Sequence, residues 1–212
     1  MTDFRPGTAL IVVDVQNDFA DPGGSLYVPA GEQVVATVNG QIAEARAAGS
    51  HVVLTQDWHP EHTPHFAQDG GVWPVHCVRD TWGAEFHPDL VVPDDAPVIR
   101  KGMNGEDGYS AFTMRDPTTG EVIPTALDLL LKEAHVDEVI VIGLATDYCI
   151  KATVLDAIEL GYRARLLQDA VAAVDLKEGD GNAAIETVRD AGCEIGWTVP
   201  TRGRSRATPR PA

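Results

Sequence analysis

Basic residues are what this 212-residue chain is short of: 16 Lys and Arg stand against 32 Asp and Glu, a formal charge of −16. Four of the sixteen, Arg202, Arg204, Arg206 and Arg210, fall in the last eleven residues, leaving twelve basic against 32 acidic in residues 1–201. A body that acidic repels phosphate backbones, which argues against nucleic-acid binding through the folded part. Long apolar runs are missing as well. Stretches such as Ala9–Val13 are five residues long, where a membrane helix needs roughly 20. The start MTDFRPGTAL has no basic segment leading into an apolar one, so the expectation is a cytoplasmic protein with no membrane partner. Cysteine is scarce and odd in number, Cys77, Cys149 and Cys193, which argues against a secreted disulfide framework. No Walker loop and no GxGxxG follows the first apolar run, so nucleotide binding by those routes has no support.

What remains is globular: 44% hydrophobic and 23% charged, enough for one core and short for two. We expect a single domain over residues 1–200 and a disordered basic tail at 201–212. A homo-oligomer stays open.

Apolar runs alternate with helical spacings. Ala9–Val13 reads as a buried strand; Val34, Val38, Ile42 and Ala45 recur at helical spacing up to Gly49; His51–Thr55 reads as a second strand. Val98–Lys101, Val139–Ile142, Ala164–Gln168 and Glu194–Val199 read as further strands. Between them run helix stripes at Ala126–Ala134, Ile150–Ile158 and Ala184–Val188. This pattern predicts an α/β protein: a three-layer open sheet of about six mostly parallel strands, flanked by helices on both faces. Residues 56–96, with five of the seven histidines, and the glycine-rich 102–122 read as long loops, and loops of that length are usually functional or disordered.

Open parallel sheets build their sites at the carboxyl ends of strands. Asp14, Lys101 and Cys149 each stand at or just past such an end, so they can meet in one crevice. A helix N-terminus and a neighbouring Lys101 would favour the Cys149 thiolate, and Asp14 could take the thiol proton and return it to a leaving amine. Each also has a plain reading: a core cysteine, a capping aspartate, a surface lysine. A second constellation is Asp57 and His59 in DWHPEHTPHF, with His62, His65 and, in WPVHC, His76. A carboxylate with imidazoles suits one divalent ion, Zn²⁺, Mn²⁺ or Fe²⁺. Phe19, Trp73 and Tyr109 can sandwich a flat ring or simply pack under loops. Cys77 and Cys193 read as core; His51, His87 and His135 read as structural.

Taken in order, ALIVVDVQNDF, TQDWHPEHTPHF, WPVHC, RKG, YSAF and GLATDYC resemble the nicotinamidase/pyrazinamidase branch of the isochorismatase-like hydrolases, over roughly residues 8–200. The resemblance implies the isochorismatase-like fold and hydrolysis of a small aromatic amide, nicotinamide, to nicotinate and ammonia. It implies Asp14, Lys101 and Cys149 as catalytic triad, and a metal site of Asp57, His59 and His76, with His65 matching a histidine used by some members. It further implies a cis peptide before Ala145, an oxyanion hole of the Ala145 and Cys149 amides, and a ring pocket of Phe19, Trp73, Tyr109 and Tyr148. The extra His62 and the tail depart from that pattern. Amidases of carbamoyl or ureido substrates, and a non-catalytic metal-dependent binder, are the rival readings.

Overall fold

A computed structural model describes residues 4–198; the tail expected at 201–212 lies outside the described residues. Six strands form one parallel sheet: β1 (Thr8–Val13), β2 (His51–Asp57), β3 (Val98–Lys101), β6 (Glu138–Leu144), β7 (Arg163–Ala172) and β8 (Glu194–Gly196), in the order β3-β2-β1-β6-β7-β8. β1 and β6 are buried along their whole length, which is why both read as unbroken apolar runs: a central parallel strand has no solvent face.

Alternate residues of β1 feed two cores. Leu10 and Val12 pack on one face with Val34, Val35, Val38 and Ile42 of α2 (Gly31–Ala47). Ala9, Ile11 and Val13 pack on the other with Leu127 and Leu131 of α3 (Leu127–Glu133), Val154 and Ala157 of α4 (Lys151–Glu159) and Val188 of α5 (Asp180–Asp190). Each large aliphatic side chain so buried is worth about 1.5–3 kcal/mol. The three layers are those the alternating pattern predicts.

Two features depart from the expectation. A one-turn helix, α1 (Asn17–Ala20), follows β1, and the 102–122 segment, read as loop, contains most of an antiparallel hairpin of β4 (Thr113–Arg115) and β5 (Val122–Pro124). Both hairpin strands are three residues long and partly exposed, too short and too polar to give a periodic signal. The last strand runs only Glu194–Gly196 rather than from 194 to 199, with Val199 outside the described residues.

The chain reverses its direction of travel across the sheet between neighbours β1 and β6, and their carboxyl ends flank the crevice that results, the place where open α/β sheets bind ligands. Gly143 lets the two strands close there: a Cβ at this position (φ +112°) would sit 2.2 Å from the Val13 carbonyl oxygen.

Candidate active site

Asp14 leaves β1 with φ +49°, and its carboxylate is wholly buried at the crevice floor. One oxygen accepts from the Thr55 hydroxyl at 2.5 Å, the other from Lys101 Nζ at 2.7 Å. Lys101, the last residue of β3 and 1% exposed, is the hub. Its ammonium also meets the Tyr109 carbonyl at 3.2 Å and Cys149 Sγ at 3.6 Å. It stands 2.9 Å from Asp57 Oδ1, close enough for an ion pair though off line for a hydrogen bond. Three residues from three strand ends thus meet.

Cys149 stands at the start of a helix, as the sequence suggested, though the first turn there is not α-helical. It lies in a π-turn, Thr146–Ile150, that precedes α4. The Leu144–Ala145 peptide is cis, and the Ala145 carbonyl accepts from the amides of Tyr148 and Ile150 at 3.2 and 3.1 Å, folding the turn around the cysteine. Asp147 ties the turn to the neighbouring loop by accepting from the Val174 and Asp175 amides.

Electrostatics correct the expected thiolate. Burial pushes the Cys149 thiol well up, and Asp14 and Asp57 add to that push against the pull of Lys101, so the resting sulfur is a thiol. Burial likewise raises the Asp14 carboxyl, with Lys101 pulling down and Asp57 pushing up. Burial opposes charge on Asp57 as well, but Lys101 and His59 outweigh it and hold that carboxyl well below its usual range. For Lys101 burial is outweighed by Asp14, Asp57 and Cys149, and the ammonium is held well above its usual value. One cation between two carboxylates leaves excess negative charge in a dry site.

Beside it, ring nitrogens of His59, His65 and His76 lie within 4.8 Å of one another. His76 Nδ1 donates to the Pro74 carbonyl at 2.7 Å, and His65 Nδ1 meets Asp107 Oδ1 at 2.7 Å; this orients each Nε2 as a free donor atom. Burial, aided by His59 and His65, pushes His76 down to about 4 against the opposing pull of Asp57 and the Pro74 carbonyl, so it is a neutral ligand-type imidazole at neutral pH. Both nitrogens of buried His59 lack a hydrogen-bond partner. Its Nδ1 packs where a Cβ on Gly102 would come within 2.4 Å, and its Nε2 is 3.8 Å from Asp57 Oδ2. Three gathered imidazoles, one of them orphaned and beside a carboxylate, fit a divalent cation in kind, although Asp57 lies within the same reach of Asp14 and Cys149 and not of all three imidazoles. His62 is not part of the cluster: it is 77% exposed and pairs with Asp69.

A cavity opens onto both groups, lined by the expected Phe19, Trp73, Tyr109, Tyr148 and Ala145 and also by Leu26, Val28 and Val174. Trp73 Nε1 donates to the Tyr109 hydroxyl at 2.9 Å, and Trp73 and Tyr109 each set an edge against Tyr148. Ligand pockets are mostly apolar with a few placed polar groups, and among the described residues no Lys or Arg lines this one, so a small uncharged ring fits its chemistry. Sequence reasoning missed Thr55, Asp107, Leu26, Val28 and Val174. Thr55 was legible, two residues before Asp57 and so on the same strand face; the others stand in irregular chain or past the end of a strand's apolar run. Cys77 and Cys193 are buried and free, as expected. Among the described residues, no helix is long and apolar enough to cross a membrane.

Residues 8–198 match the model of the isochorismatase domain family. The chain is 39% identical over 206 residues to the nicotinamidase of Escherichia coli K12, covering 90% of this chain and 94% of that one. Its structure is similar to that of the pyrazinamidase of Pyrococcus horikoshii in complex with zinc, with a TM-score of 0.81, 40% identity, and coverage of 91% of this chain and 100% of the other. It is similar also to the yeast nicotinamidase bound to the inhibitor nicotinaldehyde, with a TM-score of 0.81, 30% identity, and coverage of 90% and 100%.

Proposed function

We propose, from the premise that the chain belongs to the isochorismatase domain family and is an amidohydrolase, that it hydrolyses nicotinamide, and pyrazinamide with it, to the acid and ammonia through a thioester on Cys149. The observation that carries this reading is the single ammonium of Lys101 in contact with both the Asp14 carboxylate and the Cys149 sulfur, beneath an aromatic cavity.

Asp14 takes the thiol proton as sulfur attacks the carboxamide carbon, and the Ala145 and Cys149 amides receive the charge that develops on oxygen. The C–N bond breaks as Asp14 returns that proton to nitrogen, and ammonia leaves. Water then gives its proton to Asp14 and attacks the thioester carbon; the sulfur departs, recovers the proton, and the carboxylic acid is released. Lys101 holds Asp14 in place throughout and offsets the negative charge passed between carboxylate and sulfur. Phe19, Trp73, Tyr109 and Tyr148 hold the ring and exclude water. Asp57, His59 and His76, with His65 beside them, would hold one divalent ion, Zn²⁺, Mn²⁺ or Fe²⁺, which supplies a fixed positive charge to anchor the lone pair of the ring nitrogen.

The test is ammonia release from nicotinamide by the purified protein, before and after chelation and on re-addition of each of the three ions. Turnover that falls with the chelator and returns with metal is the expected result. No turnover with any ion, in protein shown to bind one, overturns the substrate assignment and moves it to a carbamoyl-type amide.

A further inference from the structure

The three clustered imidazoles differ in what holds their second nitrogen. His76 is held by a neutral carbonyl, His59 by packing alone, and His65 by a carboxylate, that of Asp107 at 2.7 Å. Asp107 is itself fixed in place. Its amide donates to the Arg115 carbonyl at 2.8 Å and its carbonyl accepts from the Arg115 amide at 2.6 Å, so the end of the β4–β5 hairpin carries it to the cluster. Oδ1 also accepts from the Gly108 amide at 2.8 Å, which locks the side-chain rotamer toward His65. The His65 ring in turn stacks against His59 at a centroid distance of 5.0 Å.

Resting on the reading that this cluster holds a divalent ion, we propose that Asp107 is a positioning residue that fixes His65 as a ligand of that ion. An Nδ1–H held by a carboxylate leaves Nε2 unprotonated, aims it, and makes it a stronger electron donor than an imidazole held by a neutral carbonyl. By this account His65 is the best supported of the three. The hairpin absent from the sequence reading acquires a purpose: it delivers one carboxylate to the centre.

Metal affinity tests this without any reference to turnover. Dissociation constants for Zn²⁺ and Mn²⁺ are measured by chelator competition on the full chain and on Asp107→Ala, Asp107→Asn, His65→Ala and the Asp107→Ala/His65→Ala double variant, with circular dichroism as a check of fold. Asp107→Ala should weaken binding about 10–100-fold and add little once His65 is gone. Asp107→Asn keeps a neutral acceptor at Oδ1, so it should recover the part of the loss due to aiming the ring and not the part due to the carboxylate's charge. An unchanged affinity in Asp107→Ala, an equal loss with and without His65, or no recovery in Asp107→Asn each overturns the proposal. Failure of the metal reading itself shows separately, as parent protein that binds neither ion.

Discussion

Lys101 Nζ lies 2.7 Å from Asp14 Oδ2 and 2.9 Å from Asp57 Oδ1, so one buried cation joins the proposed base to the carboxylate that faces the imidazole cluster. Replacing it with methionine keeps the length and removes the charge, which strands two buried carboxylates. Breaking a buried pair in this way costs about 3–5 kcal/mol. Lys101→Met should therefore lower the denaturation midpoint clearly as well as the rate of ammonia release, and an inactive variant of unchanged stability would show that the ion pairs are not what the lysine is for.

Asp14 and Cys149 give a prediction in which reactivity and turnover move in opposite directions. Asp14 pushes the Cys149 thiol up, so Asp14→Asn lets Lys101 favour the thiolate. Alkylation of Cys149 by iodoacetamide at pH 7 should speed up in this variant while ammonia release falls about 10²–10⁴-fold. Slower alkylation together with lost turnover would point to a collapsed site instead.

The same pair fixes the sign of the pH dependence. Asp14 must be ionised to take the thiol proton, and burial raises its carboxyl. As pH falls through that raised value the base is protonated and the rate drops. The acid limb of kcat/KM should therefore lie above the ordinary carboxylate value of about 3.9, and a limb at or below that value would be incompatible with Asp14 as the base.

The parts of this site legible in the sequence are those that hang on strand ends. Val139–Ile142 and Ala9–Val13 are continuous apolar runs because both strands are buried on both faces, and the next polar residue after such a run is placed by topology alone. Asp14 could be named for that reason, whereas Lys101 ends a half-exposed strand and Cys149 stands five residues past the end of its strand, so those two could be named only by their nearness to a strand end. The thiol's charge state could not, because it depends first on how completely the fold buries the sulfur and then on the Lys101, Asp14 and Asp57 charges gathered around it, and no sequence pattern states either. Asp107 and the cavity residues Leu26 and Val28 stand in irregular chain, where neither a period of 2 nor one of 3.6 marks which side chains face inward.

Two glycines should respond to alanine with opposite signs. At Gly143 the new Cβ meets the Val13 carbonyl at φ +112°, whereas at Gly40, exposed within α2, it meets nothing within 4 Å. Gly40→Ala should stabilise by roughly 0.5–1 kcal/mol through helix propensity. Gly143→Ala should destabilise by more than about 1 kcal/mol and disturb activity, since the β1–β6 contact it spreads lies directly beneath Asp14. Thermal melts of the two variants side by side read both signs at once.

The two halves of the site should also separate by substitution. Cys149 touches the catalytic charges but is not one of the clustered imidazoles, whereas His59 is buried among those imidazoles with both ring nitrogens unpaired. Cys149→Ala should abolish ammonia release, since among the described residues no other sulfur lines the cavity, yet bind nicotinamide with nearly the parent dissociation constant in calorimetry. His59→Ala should retain the thiol but lose bound metal, and with it capture of the ring, raising the dissociation constant by tenfold or more, about 1.4 kcal/mol of anchoring. A Cys149→Ala protein that still turned over would falsify the thioester route. A His59→Ala protein that bound nicotinamide normally would detach ring recognition from the imidazole cluster and leave it to the four aromatic side chains alone.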